Sequence, residues 1–144
     1  MSTLLHDTLK RLNASLGFDE EEYYKAVAKS FLISADNAHA VHPNHKELTD
    51  DENRTFMNEG IVVKEAANQK YTSDAFSQAI FKKICALADV PVQHFANRSN
   101  MQGGSTLGNL SNTQVSLHAV DIGLAQLAMH SNYETAGAKD PEYM

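Results

Sequence analysis

Segments with helical periodicity alternate with short β-rich runs along the whole chain. The first segment carries a leucine stripe at steps of three and four, and Ile61-Val62-Val63 is typical of the β-rich runs. This alternation predicts an α/β protein with a mixed or parallel sheet and helices on both faces. With 144 residues, no internal repeat and no linker, the sequence predicts a single domain spanning residues 1–144.

Start and stop signals place the elements along the chain. The leucine stripe ends at Gly17, and Asp19 begins a second helix. The clearest helix follows the cap candidates Thr72-Ser73-Asp74, and Ser131 is expected to cap a last helix that runs toward Ala138. The apolar stripe expected to face the core in the clearest helix is Phe76, Ile80, Ile84 and Leu87. Strands are expected over residues 31–33, 61–63, 92–96 and 116–122.

Composition limits the partners and the compartment. The formal net charge is −6 and no basic run is present, which argues against a nucleic-acid partner. No apolar run approaches the ~20 residues that a membrane helix needs, so no membrane partner is expected. The first residues have no basic and no long apolar region, and the single Cys85 cannot form an internal disulfide. A cytoplasmic location is therefore predicted.

A carboxylate and three imidazoles follow the apolar run 31–33, which reads as a buried strand. They recur at a spacing of three residues, as Asp36, His39, His42 and His45. Asp36 falls at the carboxyl end of the predicted strand, where ligands gather in open α/β sheets. Mixed oxygen and nitrogen donors suit divalent metal ions. A surface loop rich in histidine is the alternative, since Pro43 prevents one continuous helix from presenting all four groups.

Four ordered stretches resemble the M18 metallopeptidases, the aspartyl aminopeptidases. The first is the histidine-rich stretch, Ser-Ala-Asp-Asn-Ala-His-Ala-Val-His-Pro-Asn-His, and the others follow it in family order. They cover residues 34–45, 62–71, 97–108 and 127–137. The resemblance implies a zinc-peptidase-like fold, two zinc ions in the intact enzyme, a homo-oligomer, and removal of Asp or Glu from the amino terminus of peptides.

The same resemblance implies roles for individual residues. Asp36 and His130 match zinc-ligand positions, one for each metal, and Lys64 matches the residue that meets the acidic side chain of the substrate. The substrate-binding positions implied are His39, Lys64, Tyr71, Gly104, Ser105 and Thr106. Structural alternatives stay open: Asp36 as a helix cap, His39 as a hydrogen-bonded structural histidine, Lys64 as a surface lysine and Tyr71 as a packed aromatic. His42 and His45 are expected to be structural or exposed.

The resemblance also shows what the chain does not contain. The family supplies further ligands from a His-x-Asp motif and a bridging aspartate, and a general base from a Glu-Glu pair. No His-x-Asp motif occurs here, and the run Glu20-Glu21-Glu22 begins a predicted helix and is not preceded by a strand, so it does not match the family's Glu-Glu stretch. The sequence therefore corresponds to the carboxyl-terminal part of an M18-like catalytic domain and holds no catalytic base. Two hypotheses follow: part of a zinc aminopeptidase that is inactive in isolation, or a non-catalytic module that binds metal incompletely or self-assembles.

Overall fold

The computed structural model describes residues 2–144 as an α/β fold. Its helices are α1 (Leu4–Ser15), α2 (Glu20–Ala28), α3 (Ala75–Leu87) and α4 (Leu107–Asn112), with short 3-10 helices at Lys46–Leu48 and Asp140–Tyr143. Its strands are β1 (Phe31–Ala35), β2 (Ala38–His39), β3 (Ile61–Glu65), β4 (Val92–Ala96), β5 (His118–Gly123), β6 (Ala125–Leu127) and β7 (Thr135–Ala136). No helix within this part of the chain is long and apolar enough to cross a membrane.

The central sheet is mixed. Its strand order is β1-β5-β3-β4, with β1 parallel to β5 and β3 parallel to β4, while β3 and β5 run antiparallel. A smaller sheet places β6 between β2, to which it is parallel, and β7, to which it is antiparallel. The predicted α/β class with a mixed sheet is confirmed.

The two faces of the central sheet differ in chemistry. One face packs Val63 and Val120 against Phe81 and Cys85 of α3, in an apolar cluster. On the other face, Ser34 and Lys64 both lie opposite Asp121 of β5, so the three residues form a row across three strands. We call Ser34, Asp121 and Lys64 the polar row.

Sequence signals correctly located the starts of α2 and α3. Asp19 and Asp74 each accept a hydrogen bond from the third backbone N–H of their helix, and each is part of a reciprocal capping box. The leucine helix also forms, and Gly17 follows it with a φ of +80°, which suits glycine.

The predicted core stripe of α3 was wrong. The helix buries Phe81 and Cys85, whereas Phe76 and Leu87 are 54% and 76% exposed. Apolar residues occupy more than one side of this helix, and periodicity cannot tell which side the sheet covers.

Three strand and helix predictions also needed correction. Lys64 lies inside β3 rather than at its end. The run 31–33 forms β1, but Ile33 is 51% exposed because β1 is an edge strand of the central sheet. No helix runs from Ser131 toward Ala138; Thr135–Ala136 pairs with β6 instead, because strand pairing satisfies its backbone groups.

Candidate functional site

Asp36 stands at a corner held by backbone contacts. It directly follows β1, and its N–H donates a hydrogen bond of 2.9 Å to the Ile122 carbonyl. Gly123 permits this close approach, because a side chain there would collide with the Asp36 carbonyl. The Asp36 side chain is 55% exposed. The fold thus presents this carboxylate at the carboxyl end of β1, as the sequence predicted.

Lys64 is almost completely buried beside that carboxylate. Its side chain is 2% exposed, and its Nζ lies 3.7 Å from Asp36 Oδ2. The same ammonium lies 3.5 Å from the Asn37 carbonyl and 5.2 Å from the centre of the Tyr71 ring. Burial lowers the pKa of Lys64 below its ordinary value, and attraction to Asp36 and Asp121 opposes that shift. The alternative of an ordinary surface lysine does not agree with this burial.

His39 and His130 lie in the same neighbourhood. Desolvation lowers the pKa of His39, and repulsion from His130 and Lys64 lowers it further. His130 is exposed and follows β6, the strand that runs parallel to the His39 strand. Its N–H donates to Glu134 Oε1, and its backbone has a φ of +66°. The fold therefore brings imidazoles that are 91 residues apart in sequence close enough for the charge of His130 to lower the pKa of His39.

Tyr71 separates the lysine from a cavity of about 290 Å³. Its ring packs against Phe95, and its hydroxyl oxygen accepts a hydrogen bond of 3.1 Å from the Asn97 side-chain amide. Burial raises the pKa of the Tyr71 hydroxyl, so this group stays protonated near neutral pH. His39 and Gly104 line the same cavity. Three of the predicted substrate-binding residues therefore line one cavity.

Gly104, Ser105 and Thr106, which we call the glycine-bearing segment, differ in their exposure to solvent. Gly104 has open space around it and Ser105 is exposed, whereas Thr106 is buried. The Thr106 hydroxyl donates a 2.9 Å hydrogen bond to Asp121. Gly104 and Ser105 are thus accessible to solvent, whereas Thr106 holds the segment to β5 through its hydrogen bond to Asp121.

His42 and His45 are exposed on the surface and line the same cavity as His39 and Tyr71. Their rings stand 5.1 Å apart, and His45 Nδ1 contacts Glu47 at 3.1 Å. Both residues are exposed, in agreement with the prediction for them.

The His, Cys, Asp and Glu side chains of residues 2–144 do not form a complete zinc site. A protein zinc site takes three or four side-chain ligands. Across residues 2–144, no group of three or more His, Cys, Asp or Glu side chains is arranged to hold a metal ion. The ammonium of Lys64 also lies beside Asp36, one of the two predicted ligands. Asp36 and His130 can supply only part of a metal site.

Sequence reasoning missed Asp121. This aspartate is completely buried in the middle of β5, beside Lys64. The signal was present, since an aspartate interrupts the apolar run Ala119-Val120-Asp121-Ile122. A charged residue inside an apolar strand has to be paired or hydrogen-bonded in the folded protein.

The comparisons with known proteins agree with this fold. The family model described as "Aminopeptidase I zinc metalloprotease (M18)" matches residues 1–144. The chain is 49% identical to a probable M18 family aminopeptidase 2 of Clostridium novyi over 99% of its length, and 40% identical to aspartyl aminopeptidase 1 of Schizosaccharomyces pombe, also over 99%. Those matches cover 33% and 30% of the two relatives.

Solved structures show the same similarity. A cryo-EM structure of the Ape4 and Nbr1 complex has a TM-score of 0.94 at 40% identity, covering 99% of this chain and 27% of that one. The S. cerevisiae mApe1 dodecamer has a TM-score of 0.80 at 26% identity, covering 97% of this chain and 30% of that one.

The chain belongs to the M18 family of aminopeptidases. It spans about a third of the length of the curated relatives it matches.

Proposed function

We propose that this chain is the carboxyl-terminal part of the catalytic domain of a zinc-dependent aminopeptidase that removes acidic residues from the amino terminus of peptides. The observation that carries the proposal is the buried Lys64 ammonium, which lies between Asp36 and Tyr71. A buried cation discriminates strongly, because a neutral substrate side chain would leave the charge without a full partner.

The neighbouring residues have supporting roles in this proposal. Asp36 and His130 each contribute one ligand, and the rest of the metal site comes from outside this chain. A neutral His39 donates a hydrogen bond to the substrate, and the lowered pKa of His39 favours that neutral form. Tyr71 and Gly104 line the cavity. Ser105 and the backbone at Thr106, which follow Gly104 in the chain, contact the substrate beside it.

Supplying the missing portion tests the enzyme proposal. The chain is combined with the amino-terminal two thirds of the Clostridium novyi relative and zinc, and turnover is measured on matched peptides that begin with Asp or Ala. Lys64→Met should lower kcat/KM for the Asp peptide at least about 30-fold more than for the Ala peptide, the equivalent of ~2 kcal/mol. Lys82→Met, on the opposite side of the sheet, is the matched control. Equal losses on both peptides would remove the charge-reading role of Lys64.

A non-catalytic role for the isolated chain is the second candidate. It is favoured by the incomplete donor set in residues 2–144. The purified chain with added zinc should therefore give no turnover of either peptide. Turnover by the chain alone that Asp36→Ala abolishes would exclude this second candidate.

We also propose self-assembly of the protein, supported by the dodecameric assembly of the similar mApe1 structure. Light scattering of the combined preparation should then give a mass several times that of one copy; the mass of a single copy would contradict the proposal. The cytoplasmic location stays a prediction.

A further inference from the structure

Asp121, the carboxylate of the polar row, is completely buried. Its exposed fraction is 0%, and it lies between Ser34 on β1 and Lys64 on β3. Placing a carboxylate in such a position is unfavourable unless hydrogen bonds or opposite charges compensate for the lost water. Its partners therefore indicate what the buried charge does.

The hydrogen bonds that hold the Asp121 side chain come from two segments beside the site. Its Oδ2 accepts hydrogen bonds from the Thr72 backbone N–H at 2.5 Å and from the Thr106 hydroxyl at 2.9 Å. Its own backbone N–H donates to Ser73 Oγ at 2.8 Å. Thr72 is the neighbour of Tyr71, and Thr106 ends the glycine-bearing segment. One side chain thus links two walls of the cavity to the central strand.

The second carboxylate oxygen of Asp121, Oδ1, accepts no hydrogen bond from the described part of the chain. Within residues 2–144, Oδ1 is the only buried side-chain nitrogen or oxygen atom without a hydrogen-bond partner. Gly108 lies so close that an added Cβ would be 3.0 Å from this oxygen. Attraction to Asp121 raises the pKa of Lys64, in opposition to burial, so the carboxylate is near the ammonium as well.

We propose that Asp121 is a positioning residue, whose buried carboxylate fixes the connection that carries Tyr71 and the glycine-bearing segment against β5, so that Tyr71 faces Lys64 and Gly104 lines the adjacent cavity. The catalytic consequence rests on the proposed aminopeptidase function, whereas the fixing of the two segments does not. A carboxylate is needed because hydrogen bonds to a charged acceptor are stronger than those to a neutral one.

Asp140 provides a matched control. It is also a completely buried aspartate, and its two oxygens accept the backbone N–H groups of Asn58 at 2.7 Å and Gly60 at 3.1 Å. Gly60 directly precedes β3, so Asp140 acts at the end of that strand away from Lys64. Asp121→Asn and Asp140→Asn remove the same charge from equally buried positions, one near each end of β3.

Amide hydrogen exchange of the 144-residue chain tests the fixing itself. In Asp121→Asn, the Thr72 amide should exchange about tenfold faster relative to the Val63 amide, because its acceptor has lost its charge. In Asp140→Asn, Asn58 and Gly60 should respond and Thr72 should not. An equal response of Thr72 in both variants, or an unprotected Thr72 amide in the unsubstituted chain, would overturn the proposal.

Kinetics of the combined preparation test the consequence for substrate. Asp121→Asn should raise KM for the Asp peptide about tenfold while kcat changes less than threefold, since it displaces binding groups rather than reacting ones. Asp140→Asn should leave the ratio of KM to kcat unchanged. If the unsubstituted preparation is inactive, the proposed function fails, and the exchange result still decides the role of Asp121. If Thr72 responds as expected but KM does not change, the positioning role for substrate is overturned.

Discussion

The two faces of the central sheet are built from alternate residues of the same strands, yet they are organised differently. Val63 and Val120 on one face are fully buried against Phe81 of α3, with only apolar contacts. Lys64 and Asp121, the next residues along the same strands, are buried equally deeply as charged groups on the other face. Apolar burial stabilises the fold, whereas burial of charge is costly and is more often linked to function. The comparison teaches that one face holds an apolar cluster alone, whereas the other combines an apolar cluster that includes Val62 and Phe95 with the buried charges of the site.

The largest expected effect is on the apolar face. Phe81→Ala should lower the free energy of unfolding by about 3–5 kcal/mol, because it removes a buried ring and leaves a cavity. Urea denaturation followed by circular dichroism measures the change. Phe76→Ala, at a half-exposed position of the same helix, should cost less than about 1 kcal/mol. Similar losses at the two positions would contradict the assignment of the buried side of α3.

On the polar face, a single added methyl group tests how closely the elements pack. Gly108→Ala would place a Cβ 2.4 Å from the Ser34 Cβ. The resulting overpacking outweighs the better helix propensity of alanine, so the free energy of unfolding should fall by about 1–2 kcal/mol. Gly104→Ala is the control, because nothing lies within 4 Å of the added atom. An increase in stability for Gly108→Ala would show that α4 does not press on Ser34 as described.

The Asp74 cap at the start of α3 makes the stability of this helix, which covers the apolar face, depend on pH. The backbone hydrogen bond from Ser77 lowers the pKa of Asp74 below its ordinary value. Because the pKa of Asp74 is lower in the folded state, the cap contributes its full stabilisation at pH values above the pKa of the unfolded chain. This stabilisation is lost as the pH falls through the pKa of the folded protein. Asp74→Ala should cost about 1 kcal/mol at neutral pH and progressively less in acid. Denaturation midpoints measured from pH 7 to pH 2 check this; a constant difference across that range would refute it.

The smallest expected change in stability is at the most buried cation. Lys64→Met replaces a desolvated ammonium with an apolar side chain of similar length. Because burial lowers the pKa of Lys64 in spite of two attracting carboxylates, the free energy of unfolding should stay within about 1 kcal/mol of its original value, or rise. Lys82→Met provides the baseline for loss of a lysine charge. A loss as large as that of Phe81→Ala would mean that the polar row also supplies stability, and the contrast between the two faces would disappear.

Local sequence determined the kinds of element and many of their ends. The cap at Asp74 and the glycine after α1 act within a few residues, so they can be recognised without the fold. The position of Asp36 after a strand was predictable for the same reason. The family resemblance supplied the roles expected of Lys64 and His130.

Only the tertiary structure decided which side of each element is covered and which distant groups meet. The sheet covers Phe81 rather than Phe76, although periodicity allowed either, because burial depends on the neighbouring element. Strand pairing placed Lys64 opposite Asp121 and set His39 beside β6, the strand that leads to His130. These relations depend on register between strands far apart in sequence, and no local pattern of residues encodes that register.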